Sequence, residues 1–302
     1  MTMSETLISV IIPTYNYAHL LPRALDSVVR QLSDDIELIV VNDGSTDRTS
    51  LLLADYASRY PRLQVIEQSN GGAASARNSG IRLANGRYAL LLDADDELLP
   101  NTLSTLRGIV ASAPEAGMVL GGYFSIYPDG RERLRAPTPV PKGSAAELVT
   151  QYLLEKRIAI SHCCSLFRRD LLLRRPYPES LRIGEDIAVF AHLLVSAPVV
   201  LTDEPLARIF KHADSLRHRR EGQEAFALEM VKQVFSGLPE ECQHLRKRYE
   251  AQHYLSLFRA AQLGSDIELA RNFYRKAFYL APTQSLRWTY LRKAIRLLLF
   301  NK

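Results

Sequence analysis

The sequence predicts an α/β protein: a doubly wound, mostly parallel sheet flanked by helices, with an all-helical C-terminal appendage. Three observations carry this expectation. Short apolar runs alternate with helical stripes from the start of the chain to about Pro100. Those runs lack apolar–polar alternation, as strands covered on both faces do. From Glu221 onward the strand-like runs disappear and helical periodicity continues to Phe300.

The elements follow in order. Leu7 to Ile12, Ile36 to Val41 and Tyr88 to Leu92 are predicted strands, and Leu63 to Glu67 is a weaker one. Between the first two, Leu20 to Gln31 carries Leu21, Ala24, Leu25 and Val28 at helical spacing. Ser50 to Arg59 and Ala73 to Ala84 have similar patterns. A helix is expected from Pro100 to Ser112, then a strand at Met118 to Phe124. Tyr127 to Lys142 is rich in proline, with Gly130 and several arginines, and is expected to be a loop. Further on come a strand near Cys163 to Phe167, a helix from Glu185 to Val195, and strands at Val199 to Thr202 and Ala207 to Phe210. A domain seam is expected at His218 to Gly222. It separates residues 1–218, themselves divided into halves 1–100 and 101–218, from the helical residues 219–302.

A chain of 302 residues can bury a large core without staples. Cys163, Cys164 and Cys242 make no disulfide framework and no C-x-x-C metal pair, which fits a reducing cytoplasm. The first residues are polar and carry no basic-then-apolar leader, and no apolar stretch approaches the length of a membrane span. The formal net charge of +5 favours anionic partners such as phosphates or an anionic membrane face. The basic residues are dispersed and no aromatic platform accompanies them, which argues against a nucleic-acid binder.

The chemistry concentrates at strand ends. Asp93, Asp95, Asp96 and Glu97 crowd the carboxyl edge of the fourth strand, where open α/β sheets bind ligands. Carboxylates that close repel unless a cation lies between them, and hard oxygen ligands suit Mg2+ or Mn2+. A solvated turn capping the next helix is the plainer alternative. The first strand leaves through Pro13, Thr14, Tyr15 and Asn16, where a dinucleotide site or a P-loop would place glycines. Asp43 ends the second strand, and its carboxylate could accept an N–H from a nucleobase. Ser45 to Asp47 are explained by helix capping alone. The third connection, Asn70-Gly71-Gly72, leads into a helix bearing Arg77. The Arg77 fork could reach a carbonyl or phosphate, or pair with one of the acidic loops.

In order, SVIIPTYN, VVNDGSTD, NGGAASARNSGI and LDADD resemble the nucleotide-sugar half of a family 2 glycosyltransferase of the GT-A fold. The resemblance implies an inverting transfer from a nucleotide-diphosphate sugar, with a UDP-sugar as the expected donor and Mn2+ or Mg2+ as cofactor. Carried over by position, Thr14, Tyr15, Asp43 and Arg77 would hold the base and Asp93 the ribose. Pro13, Asn16, Asn70 and Glu185 join the expected nucleotide- and substrate-binding residues. Asp95 would bind the metal, with Asp96 a second ligand. Beyond this half the match thins. Glu185-Asp186 resembles the family's Glu-Asp element and makes Asp186 the expected general base; charge pairing at a helix start is the plainer account. His212 falls where the family can complete its metal or diphosphate site, and Arg217 to Arg220 could close over the diphosphate or be a solvated face.

Gln284, Arg287 and Trp288 spell a Q-x-x-R-W signature of processive synthases, but far downstream and without membrane spans, so coincidence is the better account. The tail from Leu286 holds five basic residues and no acid, with Trp288, Leu291, Ile295 and Leu298 on one face. It suits either peripheral contact with anionic lipid or docking on neighbouring helices. The family resemblance, with the basic tail, implies bacterial surface-polysaccharide or lipid-linked glycan assembly, with a glycan or lipid-linked acceptor. A sugar-nucleotide pyrophosphorylase or a non-catalytic binder are the alternatives; the glycine-rich triphosphate loop of the former is missing.

Overall fold

The computed structural model describes residues 6–211 and 223–299. The chain forms two compact units: Met1–Pro141 with Ile158–Arg217, and Lys142–Arg157 with His218–Lys302.

The first unit is built on one nine-stranded sheet. Its strands are β1 (Ile8–Thr14), β2 (Ile36–Asn42), β3 (Leu63–Glu67), β4 (Tyr88–Leu91), β5 (Glu97–Leu98), β6 (Met118–Ile126), β7 (Glu132–Arg135), β8 (Ser165–Arg168) and β9 (Val199–Phe210). The order is β3-β2-β1-β4-β8-β6-β9-β5, with β7 paired to β6. The pairings β3–β2, β2–β1 and β1–β4 are parallel, and β8 then enters antiparallel to both β4 and β6. Hence β1 to β4, β6 and β9 point one way, and β5, β7 and β8 the other.

The central strands are buried on both faces, every residue of β2 and β4 included. The Leu21–Val29 helix lays Leu21, Ala24, Leu25 and Val28 onto the sheet, the stripe expected from spacing. Each such side chain contributes about 1.5–3 kcal/mol through burial. On the helix Ala73–Leu83, Gly80 lies so close to β1 that an added Cβ would meet Ile11 Cγ2 at 2.4 Å. Away from the site, at the amino ends of the strands, the buried Glu37 carboxylate accepts from Ser9 Oγ at 2.6 Å and the Asn85 N–H at 2.6 Å. This pins the turn into β4 and explains why a carboxylate survives inside the sheet.

The structure differs from the sequence reading in four places. The proline-rich stretch is not all loop, because Glu132–Arg135 pairs with β6 as an exposed edge strand. The strands expected at Val199 to Thr202 and Ala207 to Phe210 are one strand, bent past β6 by register shifts near Gly122. Pro205 interrupts the apolar pattern that would have joined them. The two-residue strand β5 is too short to leave a periodic signal. Finally, Lys142–Arg157 groups with the C-terminal helices. Its Ala145–Val149 helix starts with a capping box between Ser144 and Glu147, and Leu154 O accepts from Gln252 Nε2 at 2.7 Å.

The second unit is helical: Gln223–Ser236, Arg246–Leu263, Ile267–Leu280, Pro282–Ser285 and Trp288–Leu299. Its core gathers Leu255, Phe258, Ala270, Phe273, Ala277 and Ala294. No helix among the described residues is long and apolar enough to cross a membrane. Trp288 is 70% exposed and Ile295 40%, while Ala294 and Leu297 face the core, so these two members of the expected apolar stripe are turned outward. Gln284 is buried and Trp288 exposed, so the Q-x-x-R-W residues do not share one environment.

Candidate active site

The loops after β1, β2, β3 and β4 meet at the carboxyl edge of the parallel strands. Thr14 and Asn42 are register partners at the ends of β1 and β2, and the Asp43 N–H donates to Thr14 O at 2.9 Å. Asn16 ties these exits together: its Oδ1 accepts from the Thr46 N–H at 2.7 Å, and its own N–H donates to Ser45 Oγ at 2.9 Å. Buried Asp43 accepts from the Gly71 and Gly72 amides, each at 2.8 Å, and from Gln68 Nε2 at 2.7 Å. Its carboxylate therefore shapes the Asn70–Gly72 loop and keeps only limited accepting capacity for a ligand. Gly44 (φ +73°) makes that approach possible; a Cβ there would meet Asn70 N at 2.8 Å. Asn70 and Tyr15 are exposed, Pro13 is half-buried, and the buried Thr14 hydroxyl has no hydrogen-bond partner.

Arg77 is the hub. It lies on the Ala73–Leu83 helix, which Arg169 caps from behind by donating to the Ile81 and Arg82 carbonyls. Its buried guanidinium donates through Nη2 to Asp93 Oδ1 at 2.9 Å and through Nη1 to Glu185 Oε1 at 2.5 Å. The Tyr177 ring lies 5.6 Å from the guanidinium carbon, and Asn78 holds Tyr177 by hydrogen bonds to both its backbone N–H and its carbonyl. Glu185 and Asp186 open the Glu185–Ser196 helix, whose other face buries Phe190 and Leu194. The acidic turn after β4 is thereby joined to the helix that carries Asp186.

A second clamp acts on the same turn. Arg23 donates to the Asp95 carbonyl, and its guanidinium carbon stacks 3.4 Å from the centroid of the Phe210 ring. Asp96 accepts from the Phe210 N–H at 2.8 Å and from the Cys163 thiol at 2.9 Å. The end of β9 is thus held against the carboxylates. His212 and Arg217 to Arg220 follow in sequence and are outside the described residues.

The family model for glycosyl transferase family 2 matches residues 9–174, more than half of the chain. The chain belongs to glycosyltransferase family 2. Among curated relatives, the uncharacterized glycosyltransferase EpsJ of Bacillus subtilis is 34% identical over 186 residues, which cover 60% of this chain and 54% of that protein. The minor teichoic acid biosynthesis protein GgaB of B. subtilis is 32% identical over 193 residues, 62% of this chain and 21% of that one. The chain thus spans about half or less of the length of these relatives. Among solved structures, S. aureus TarS 1–349 in complex with UDP-GlcNAc has a TM-score of 0.64 at 19% identity, covering 97% of this chain and 80% of that one. This likeness fixes the GT-A type of fold.

The charges of this family 2 site are strongly coupled. Burial would raise the Asp93 pKa, but the Arg77 guanidinium outweighs it and holds the carboxyl below the ordinary range. Burial, then the Asp93 charge, pushes Asp96 up to about 7. Asp186 is also raised, first by burial and then by Glu185. Burial, then Arg77, lowers His162 to about 3, so it stands neutral and hydrogen-bonds Tyr177 Oη at 2.9 Å. Burial, followed by Asp96 and Asp93, keeps Cys163 a protonated thiol.

Asp93, Asp96 and Cys163 offer donor atoms within 4.8 Å of one another; Asp95, one position away, stands outside that trio. Crowded carboxylates, one held up near 7, fit a divalent cation that would relieve their repulsion. The oxygens suit hard Mg2+ or Mn2+; a protonated thiol does not.

The structure therefore brings Arg77, Asp93, Asp96, Glu185 and Asp186 to one centre, with Pro13, Thr14, Tyr15, Asn16, Asp43 and Asn70 on the adjoining loops. Arg77 takes the acidic-loop pairing, and its Nη groups are engaged by carboxylates. Three contributors escaped the sequence reading: Arg23, Cys163 and the His162–Tyr177 pair. Only Arg23 left a signal, as a basic residue on the polar side of the first helix.

Proposed function

We propose that the chain transfers a single sugar, with inversion, from a nucleotide-diphosphate sugar to an acceptor hydroxyl. The observation that carries this reading is the Arg77 bridge, which joins Asp93 of the acidic turn to Glu185, the neighbour of Asp186. One centre then holds the donor's leaving group and the base that activates the acceptor.

Asp186 is the general base. Its raised pKa makes it a better proton acceptor than an ordinary aspartate, and it removes the acceptor proton as the oxygen attacks the anomeric carbon. Arg77 fixes the spacing between the base helix and the acidic turn, a positioning task. The loops at Pro13 to Asn16 and at Asn70 to Gly72 form the nucleoside cradle, with exposed Tyr15 offering a stacking face and Asp43 holding the cradle's shape. Asp95 and Asp96 would hold Mn2+ or Mg2+, which when bound supplies positive charge to the departing diphosphate, and Asp93 beside them would hold the ribose. His212 is the further candidate from sequence for that cation or the diphosphate.

UDP is the favoured nucleotide, supported by the likeness to TarS with UDP-GlcNAc. The setting is assembly of a cell-surface polymer, supported by the relation to GgaB, with a glycan or lipid-linked acceptor. Exposed Trp288 and Ile295 and the basic residues of the last helix suit peripheral contact with the cytoplasmic face of a membrane.

The test is a panel of nucleotide sugars assayed for metal-dependent hydrolysis and transfer, with Asp186→Asn alongside. Loss of turnover with nucleotide affinity retained supports the reading. Tight nucleotide binding by the unaltered protein with no turnover of any sugar would instead favour a non-catalytic binder.

A further inference from the structure

The helical unit contains a cavity of about 340 Å3 that no step of glycosyl transfer uses. Phe258, Tyr274, Phe278, Ala294 and Leu297 wall it, so its interior is aromatic and aliphatic. That volume lies within the range of small-molecule sites. Tyr279 and two cations, Arg271 and Arg275, complete the lining, and no acid does. Arg271 spends one Nη on the Leu297 carbonyl at 2.8 Å, while its Nε–H is buried without a partner. Neither arginine forms an ion pair among the described residues. Two guanidinium charges in the lining with no carboxylate partner among the described residues suit the cavity to an anion.

The surroundings favour one kind of ligand. Ala294 and Leu297 come from the Trp288–Leu299 helix, which carries Arg292, Lys293 and Arg296 and no acid. On that helix Trp288 and Ile295 are exposed, apolar groups beside the cationic ones. A nucleotide would ask for polar groups on a base edge, and the wall supplies no amide or carboxylate side chain. An alkyl or prenyl tail would bury against the aromatic wall while its phosphate met the arginines.

We propose that this cavity binds the tail of a phosphorylated lipid, with Arg271 and Arg275 taking the phosphate. The inference rests on the glycosyl-transfer reading only for its purpose, which is to hold a lipid-linked acceptor or its anchor; the binding itself is independent of that reading.

Trp288 is the sole tryptophan and lies six residues, about 9 Å, from Ala294 along one helix, so its fluorescence reports on the site. The full chain is titrated with dodecyl phosphate below its micellar concentration, followed by fluorescence and calorimetry. The expected result is saturable binding of one molecule per chain. Dodecyl maltoside, with the same tail and a neutral head, binds at least about tenfold more weakly, and inorganic phosphate alone does not bind. Ala294→Phe fills the cavity and abolishes binding. Exposed Arg275→Glu preserves the fold and weakens binding by about tenfold. Equal binding of the neutral probe, unchanged binding in both variants, or displacement of the probe by UDP would overturn the proposal. Donor hydrolysis measured on the same samples separates the two readings: its absence counts against glycosyl transfer and leaves the cavity result standing.

Discussion

Arg77 joins two carboxylates that are 92 residues apart in sequence, Asp93 at 2.9 Å and Glu185 at 2.5 Å. The bridge holds the acidic turn and the base helix in one frame, and removing it strands two acidic groups. Arg77→Met is expected to destabilise the protein by about 3–5 kcal/mol, the cost of breaking a buried pair. Arg77→Lys keeps the charge but not the fork, and should recover part of the stability and less of the activity. Denaturant unfolding and initial rates on the two variants check both statements; a silent Arg77→Met would remove the bridge from the account.

Asp186→Asn should lower kcat by about 100- to 10,000-fold while nucleotide affinity stays unchanged. As the proposed base, Asp186 has to be ionised to accept a proton, so activity is expected to fall as pH drops through its pKa. That pKa is raised by burial and by Glu185, so the acid limb of the pH–rate profile should lie above the ordinary aspartate range. A limb near 4 would contradict the assignment.

Asp96 gives a stability signature. Its folded pKa of about 7 exceeds the unfolded value near 3.9, so the folded state holds the extra proton between them. Stability should therefore fall as pH rises through that window, by up to about 1.4 kcal/mol per pH unit, and level off above it. Asp96→Asn should flatten the slope. Added Mn2+ should raise the melting temperature more at pH 8 than at pH 5, and chelation should reverse the gain.

Gly44→Ala tests the cradle. The new methyl would press on Asn70 N and force a left-handed backbone on alanine. Nucleotide affinity is expected to drop while the sheet stays folded, seen as weaker binding in titration with unchanged far-ultraviolet circular dichroism.

Leu25→Ala removes a fully buried side chain from the helix on the sheet and should cost about 2–5 kcal/mol. Activity per folded molecule should not change.

The parallel half of the sheet was legible because its signals are local. Each strand, its exit turn and the following helix lie within a few dozen residues, so Asp43, Asn70 and Asp93 could be set on one edge from order alone. The acceptor half was harder. Strand β8 slides between β4 and β6 by antiparallel pairing, and nothing in Ser165 to Arg168 announces those neighbours. That insertion brings Cys163 to Asp96, a contact 67 residues apart in sequence. Arg77 illustrates a different limit: its ability to pair with an acid was evident, but Glu185, 108 residues away, could not be singled out. Exposed β7 was hidden by prolines on both sides, and the bend in β9 by Pro205.

Gly80 sits one helical turn beyond Arg77 and directly over Ile11, with no room for even a methyl group. The floor beneath the bridging arginine is therefore set by a missing side chain. Anyone retuning this enzyme for a different sugar has liberty along the rim of the cleft but almost none underneath it, where a single extra carbon would tilt the whole constellation.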